Sequence, residues 1–248
     1  MARRRFFVDR IEGDRAWLHG EDAHHLARVL RAEPGQRYEI TEGESLYLAE
    51  IEIAGPRHVV FRVVEPLDPG PRLPSIIVVA ALIKFDRFEW MIEKVTELGV
   101  KAVLPVEAAR SETGFFQAAA KRVDRWRKIA RESSQQSRRV RVPEIRDAVR
   151  LADALRQPFE LKITLEENPG APPLLEAAKR WDRATDLAVC IGPEGGWTDG
   201  ERAAMKDHGW LPASLGTTVL RAETAAIAAA AVLNQPAAVA TVLANLRS

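Results

Sequence analysis

Leu187-Ala188-Val189-Cys190-Ile191-Gly192-Pro193-Glu194-Gly195-Gly196-Trp197-Thr198-Asp199-Gly200-Glu201 decides how this chain folds. Its first five residues are apolar with no polar alternation, the pattern of a strand buried on both faces in a parallel sheet covered by helices. Glycines and a proline then turn the chain, and Thr198 with Glu201 three residues on predicts a capping box at the head of a helix. Glycines at the carboxyl end of such a strand let backbone N–H and C=O groups come close to a ligand, and open α/β sheets bind small molecules there. An ordinary strand-to-helix turn fits the same spacing. A dinucleotide fingerprint is excluded because G-x-G-x-x-G is absent, and the chain has no G-x-x-x-x-G-K-[ST] phosphate loop.

Similar units precede this stretch. Ile76–Ile83 reads as a buried strand, Arg87–Leu98 as a helix with Asp86 as N-cap, Glu89 completing a capping box and Gly99 as the stop, and Val100–Val106 as the next strand. A basic helix follows over roughly Ala118–Ser137, then a helix near Ala148–Arg156, a strand over Glu160–Leu165 and a helix near Leu174–Trp181. Beyond the deciding stretch come a helix from Asp199, an extended piece around Ala213–Leu220 and an alanine-rich end. Alternation of this kind predicts an α/β fold with a parallel sheet.

Upstream the pattern changes. Pro66, Pro69-Gly70-Pro71 and Pro74 crowd a short stretch, and proline removes donors and favours extended chain. Before them short strands (Phe6–Val8, Ala16–Leu18, Tyr38–Ile40, Tyr47–Ile53, Val59–Val63) surround one helix over Asp22–Arg31, the pattern of a small β-barrel. The expected domains are residues 1–70 and 71–248.

The chain has 248 residues, 46% of them hydrophobic, enough to bury a real core in each domain. One cysteine, Cys190, allows neither an internal disulfide nor a cysteine-built zinc site and suits a reducing compartment, so cytoplasmic localisation is expected. No signal-peptide core and no apolar run long enough to span a bilayer are read. His24-His25 is a poor chelate, because adjacent helix positions point apart, so no metal is expected. The formal net charge is only +1, so bulk charge gives no case for nucleic acid. The distribution is uneven, however: residues 1–70 hold 10 Lys/Arg against 13 Asp/Glu, and residues 110–150 hold 12 against 5. A polyanion is therefore expected to meet the middle of the chain, where Arg138, Arg139 and the arginines before them suit phosphate and ribose. Lys84, at the carboxyl end of a buried strand, is placed to face a site.

A second motif, Leu215-Gly216-Thr217-Thr218-Val219-Leu220-Arg221-Ala222-Glu223-Thr224-Ala225, ends an extended piece in charged residues just before a helix of very small side chains. Arg221 and Glu223 fit a structural ion pair, a solvated turn or a site.

Together these stretches resemble the ribosomal RNA small subunit methyltransferase E family, SPOUT-class enzymes that methylate N3 of a uridine in 16S ribosomal RNA. The resemblance runs from Arg4-Arg5-Phe6-Phe7 and His24-His25-Leu26, with Val29-Leu30-Arg31, through Lys84, Glu89, Lys94, Thr96–Val100, Arg110-Ser111, Trp126, Lys128-Ile129, Gln136-Ser137, Arg139 and Val142-Pro143. It ends in Gly192–Gly196 and Leu215–Ala225. Two departures stand out: in Glu132-Ser133-Ser134 the serines stand where alanines are usual after the glutamate, and Arg138 replaces a residue that is often glycine.

The resemblance implies an N-terminal PUA-like barrel for RNA and a C-terminal α/β domain whose end threads a trefoil knot, a topology composition would never suggest. It implies S-adenosyl-L-methionine as cofactor, held by Leu165 and Glu166, by Gly192, Pro193, Glu194, Gly195 and Gly196, and by Leu215, Gly216, Val219, Leu220, Thr224 and Ala225. It implies a homodimer acting on 16S ribosomal RNA of the small subunit, with RNA contacts expected at Arg4, Arg5, Phe7, His25, Arg28, Arg31, Lys84, Arg110, Arg138 and Arg139. Uridine N3 carries a proton and needs a base; Glu223 is the candidate, with Arg221 to stabilise the developing uracil anion and Glu194 as a weaker rival. Two other readings are a SPOUT enzyme acting on another nucleotide and a non-enzymatic ribosome-assembly protein; an intact cofactor loop argues against the latter.

Overall fold

The computed structural model describes residues 5–168 and 170–235. The chain forms two compact units: one runs to Arg72 and includes Glu132–Val142, and the other comprises Leu73–Arg131 and the chain from Pro143 onward.

The first unit contains β1 (Arg5–Phe7), β2 (Arg10–Glu12), β3 (Arg15–His19), α1 (Gly20–His24), β4 (Arg37–Glu42), β5 (Ser45–Ala54) and β6 (His58–Leu67). They build one six-stranded sheet in the order β1-β4-β5-β6-β3-β2. Only β1 and β4 pair in parallel; the other neighbours are antiparallel. Phe6, Leu18, Leu26, Ile40, Ile51 and Phe61 fill its core, supplied by alternate positions along each strand. Strand β2 escapes the sequence because only Ile11 in it is even partly buried. The expected Asp22–Arg31 helix starts two residues early and loosens after α1 into a π-turn over His25–Val29, where Leu30 N–H donates to the His25 carbonyl at 3.0 Å.

Glu132–Val142 belongs to this unit through polar contacts. Glu39, largely buried, receives Arg5 at 2.9 Å and also pairs with Arg138, whose carbonyl accepts from Arg5. Thr41 Oγ1 donates to the Val140 carbonyl at 2.9 Å, and Gln135 Nε2 to Asp22 Oδ2 at 3.0 Å. A buried carboxylate needs cationic partners, and Glu39 finds them 34 residues before it and 99 after it. Arg138 has φ +57, the left-handed region that favours glycine.

The second unit runs β7 (Ile76–Ala81), α2 (Phe85–Glu97), β8 (Ala102–Glu107), α3 (Phe115–Ala119), α4 (Val123–Gln136, whose last turn belongs to the first unit), β9 (Glu144–Ile145), β10 (Val149–Arg150), α5 (Leu151–Leu155), β11 (Leu161–Leu165), α6 (Leu174–Ala177), β12 (Leu187–Ile191), α7 (Asp199–Asp207), β13 (Leu211–Ala213) and α8 (Ala222–Asn234). All its strands are parallel, in the order β10-β8-β7-β12-β11-β13, with β9 also on β8. Every residue of β7 and β12 is buried, as the unbroken apolar runs predict. After β13, at the edge, the chain returns to pack α8 against β7, β12 and α2. A return of this kind is what the expected trefoil threading requires.

Two local expectations are corrected. The expected single basic helix breaks into α3 and α4 around Ala120–Arg122. Helix α2 begins at Phe85 with Lys84 as N-cap and no side-chain cap bond, so Asp86 lies in the first turn and the Asp86–Glu89 capping box does not form. Phe85 packs on Phe115 and Trp126, with ring centroids 4.8 and 6.0 Å away, which draws it into the helix. Glu89 instead accepts from Arg125 at 2.8 and 2.9 Å.

Candidate active site

The loops that leave β11, β12 and β13 at their carboxyl ends, with the start of α8, enclose a cavity of about 360 Å³ in the second unit. Leu165 and Glu166 line it from the first loop, Gly192, Pro193, Glu194 and Gly196 from the second, and Leu215, Gly216, Val219, Leu220, Arg221 and Ala225 from the third. The structure thus brings most of the expected cofactor residues together. Gly195, Thr224 and Glu223 do not form part of its lining.

Local chemistry shapes these loops. The capping box of α7 forms as expected: Thr198 N–H donates to Glu201 Oε2 at 2.8 Å, and Glu201 N–H donates to Thr198 Oγ1 at 3.2 Å. The other Glu201 oxygen accepts from the Ala109 N–H at 2.8 Å, tying the turn after β12 to the end of β8. Gly216 adopts φ +140, where a Cβ is disfavoured, and its N–H donates to Ser214 Oγ at 3.1 Å. Arg110 Nη1 donates to the Gly195 carbonyl at 2.6 Å, placing this expected RNA contact against the glycine turn.

Charged groups stand in pairs around the cavity. Arg202 Nε donates to Glu166 Oε2 at 3.1 Å, and its Nη1 to the Trp197 carbonyl at 2.7 Å. Arg87, in the first turn of α2, forms an ion pair with Glu194, and its Nε lies 3.9 Å from Glu223 Oε1. Glu223 is 4% exposed, and its Oε2 has no hydrogen-bond partner among the described residues. The cation beside Glu223 is therefore Arg87, while Arg221 is exposed on the cavity wall. Arg87, Glu167, Trp197, Arg202 and Ser214 line the cavity without having been expected there. Arg87 carried a readable signal: it follows β7, the neighbour of β12, at the same carboxyl edge.

The expected RNA contacts divide by exposure. Arg28, Arg31 and Arg138 are exposed in the first unit, Arg138 while paired with Glu39, and His25 is half-buried; Lys84 and Arg110 are exposed in the second. Arg5, Phe7 and Arg139 are buried, so within the unit their side chains are committed to packing and pairing rather than to a free surface. Burial pushes the Arg139 guanidinium down to about 10, leaving it charged at neutral pH. Arg4 lies outside the described residues. Among the described residues no group of three or more His, Cys, Asp or Glu is placed to hold a metal ion, and no helix is long and apolar enough to cross a membrane.

An RNA methyltransferase domain profile matches residues 71–234, and an RNA methyltransferase PUA domain profile matches residues 18–64. A parallel sheet whose loops converge at its carboxyl edge in the second unit, together with a strand-rich first unit, is the arrangement of an RNA methyltransferase with a PUA domain. Ribosomal RNA small subunit methyltransferase E of Mycobacterium bovis is 35% identical over 90% of this chain and 88% of its own length; that of Bacillus subtilis is 30% identical over 83% and 84%. This chain belongs to the ribosomal RNA small subunit methyltransferase E family. Among solved structures, a Legionella pneumophila methyltransferase in complex with bound S-adenosylmethionine superposes with a TM-score of 0.79 at 31% identity, over 94% of this chain and 97% of that one. The Neisseria gonorrhoeae small subunit methyltransferase E bound to S-adenosylmethionine shares the fold with a TM-score of 0.82 at 24% identity, over 94% and 97%.

Proposed function

We propose that this protein transfers a methyl group from S-adenosylmethionine to N3 of a uridine in 16S ribosomal RNA of the small subunit. The observation that carries the reading is the cavity of about 360 Å³, walled by the three loops at the carboxyl edge of the sheet. Its size suits a small-molecule ligand, and its position is the crevice where open α/β sheets bind one. Its donor set fits the cofactor. The two glycine-bearing loops line the cavity, and both carboxylates and arginines stand in its wall, which suits a ligand carrying both cationic groups and a carboxylate. Gly192 to Gly196, Leu215 to Ala225 and Leu165-Glu166 would hold it, with Arg202 keeping Glu166 oriented.

When bound, S-adenosylmethionine would supply an electrophilic methyl on a sulfonium, with a neutral thioether as leaving group and the deprotonated uridine N3 as acceptor. No metal is required to activate such a donor, and orientation supplies much of the rate. The work left to this chain is to take the N3 proton. Glu223 Oε2 accepts it in our reading: a buried carboxylate oxygen with no hydrogen-bond partner among the described residues and a guanidinium beside its other oxygen. Arg221, exposed on the cavity wall, meets the uracil carbonyl oxygen where negative charge develops. Because N3 lies on the Watson–Crick edge, the target base must be unpaired when it reacts. The first unit binds RNA, with Arg28, Arg31 and Arg138 as its exposed candidates. Lys84 and Arg110, exposed in the second unit, are the candidates for contact there. A homodimer in the cytoplasm completes the reading, and sedimentation of the purified protein tests the dimer.

Calorimetric titration with S-adenosylmethionine, followed by mass mapping of small-subunit RNA methylated by the purified protein, tests the proposal. One saturable cofactor site and one new 3-methyluridine are expected. A folded protein that binds neither the cofactor nor its demethylated product would overturn it.

A further inference from the structure

Arg87 stands where three features of the second unit meet. It lies in the first turn of α2, it lines the cavity, and it reaches carboxylates on two different loops: Glu194 in the glycine turn after β12 and Glu223 in the first turn of α8. These carboxylates differ in setting. The Glu194 side chain is 46% exposed and that of Glu223 is 6% exposed. The guanidinium engages Glu194 directly and stands 3.9 Å from Glu223 Oε1, beyond ordinary hydrogen-bond distance. Such sharing leaves Glu223 charge-compensated on one oxygen while the other, Oε2, is buried without a hydrogen-bond partner among the described residues.

We infer that Arg87 is a positioning residue for methyl transfer: it braces the glycine turn against α8 and keeps Glu223 Oε2 unpaired just behind the wall that Arg221, Ala222 and Ala225 form, from where it takes the proton of the acceptor base. The inference rests on the reading of Glu223 as proton acceptor. Its physical ground is the cost of the alternatives. A carboxylate buried with no cation nearby is strongly disfavoured, and one in a bidentate fork with arginine spends both oxygens on that fork. A guanidinium committed mainly to a second carboxylate avoids both outcomes. Lysine is a poor replacement, since a point charge cannot address two acceptors with a planar fork. Arg87 therefore acts through Glu223, and the proton passes from N3 to Glu223 Oε2 without touching Arg87.

A double-mutant cycle on the full chain tests this, with single-turnover methylation of small-subunit RNA and calorimetric cofactor affinity as readouts. Glu223→Gln is expected to slow the rate by about 10²-fold. Arg87→Met is expected to lose about as much in rate and clearly less in cofactor affinity than in rate, and Arg87→Lys to recover part of the rate. The decisive expectation is that Arg87→Met adds little once Glu223 is glutamine, because residues acting as a unit are not additive. Fully additive losses, or an affinity loss as large as the rate loss, would overturn the inference while leaving Glu223 in place. A Glu223→Gln protein at wild-type rate would remove the underlying reading instead. If Arg87→Met does not fold, the same cycle with Arg87→Lys gives the answer.

Discussion

Gly192 lies where the indole of Trp197 leaves no room for a side chain. A Cβ at Gly192 would stand 3.1 Å from Trp197 Cε2, and the indole is 2% exposed, so it has little freedom to withdraw. Gly192 also lines the cavity. Gly192→Ala should push the turn rather than the ring, at a cost of about 1–3 kcal/mol for an overpacked core. We expect the variant to fold and its cofactor affinity to fall by about tenfold or more, equivalent to 1.4 kcal/mol of binding free energy. Calorimetry checks this, and an unchanged dissociation constant would place the ligand away from Gly192.

The exposed pair Arg28 and Arg31 and the buried Arg139 make opposite predictions. Replacing Arg28 and Arg31 with alanine should weaken RNA binding and lower the salt slope by about one per lost phosphate contact, leaving cofactor affinity unchanged. Arg139→Ala should instead lower the unfolding midpoint, because a side chain 9% exposed is removed from the interior of its unit. Filter binding across a salt series and thermal melts separate the two effects. A normal melt with a reduced salt slope for Arg139→Ala would return this residue to direct phosphate contact.

Much of this was legible locally. Strand β12 occupies Leu187–Ile191, as its apolar run requires, and the Thr198–Glu201 box forms, since both depend only on neighbouring residues. The cavity could be anticipated because strand ends in an α/β sheet converge on one edge. What escaped depends on residues distant in sequence. Glu132–Val142 joins the first unit through Glu39, Thr41 and Asp22, and no periodicity within 132–142 announces that. Arg87 was missed as the cation for Glu223 because 136 residues separate them, whereas Arg221, two residues away, looked the natural partner. Asp86 and Glu89 had the right spacing for a capping box, but aromatic packing of Phe85 moved the helix start.

Asp186 ties the starts of strands together at the far end of the sheet: it accepts from Lys101 at 2.6 Å and from Ser75 Oγ. Partial burial works against its charged form, but the Lys101 ammonium and the Ser75 hydroxyl outweigh this and hold the carboxyl below its ordinary value. A carboxyl with a lowered folded value stabilises the protein above its unfolded pKa, about 3.9, and loses that contribution as pH falls through the folded value. Asp186→Asn should therefore cost stability at pH 7, less than about 1 kcal/mol for a pair this exposed. The difference from wild type should shrink to nothing in the most acidic melts. A difference that persists there would assign the effect to packing.

Glu223→Gln is the sharpest test of the chemistry. If Glu223 serves only as the buried counter-ion of Arg87, neutralising it strands a guanidinium that still has Glu194, and the visible effect is on stability. The cost then approaches the 3–5 kcal/mol typical of a broken buried pair only if Glu194 cannot compensate. If Glu223 accepts the N3 proton, the amide keeps the shape, the fold and the cofactor affinity, while the single-turnover rate falls by about 10²-fold or more. The two roles also differ in pH dependence. A variant without its base depends on the uridine ionising by itself, so its rate should climb as pH rises toward the nucleobase pKa, whereas a merely destabilised enzyme gains nothing from alkali. Rapid-quench methylation across that range, with melts at each pH, reads both. A well-folded Glu223→Gln protein that binds cofactor and methylates at the wild-type rate would move the base elsewhere, and Glu194, on the cavity wall beside Arg87, is the next to test.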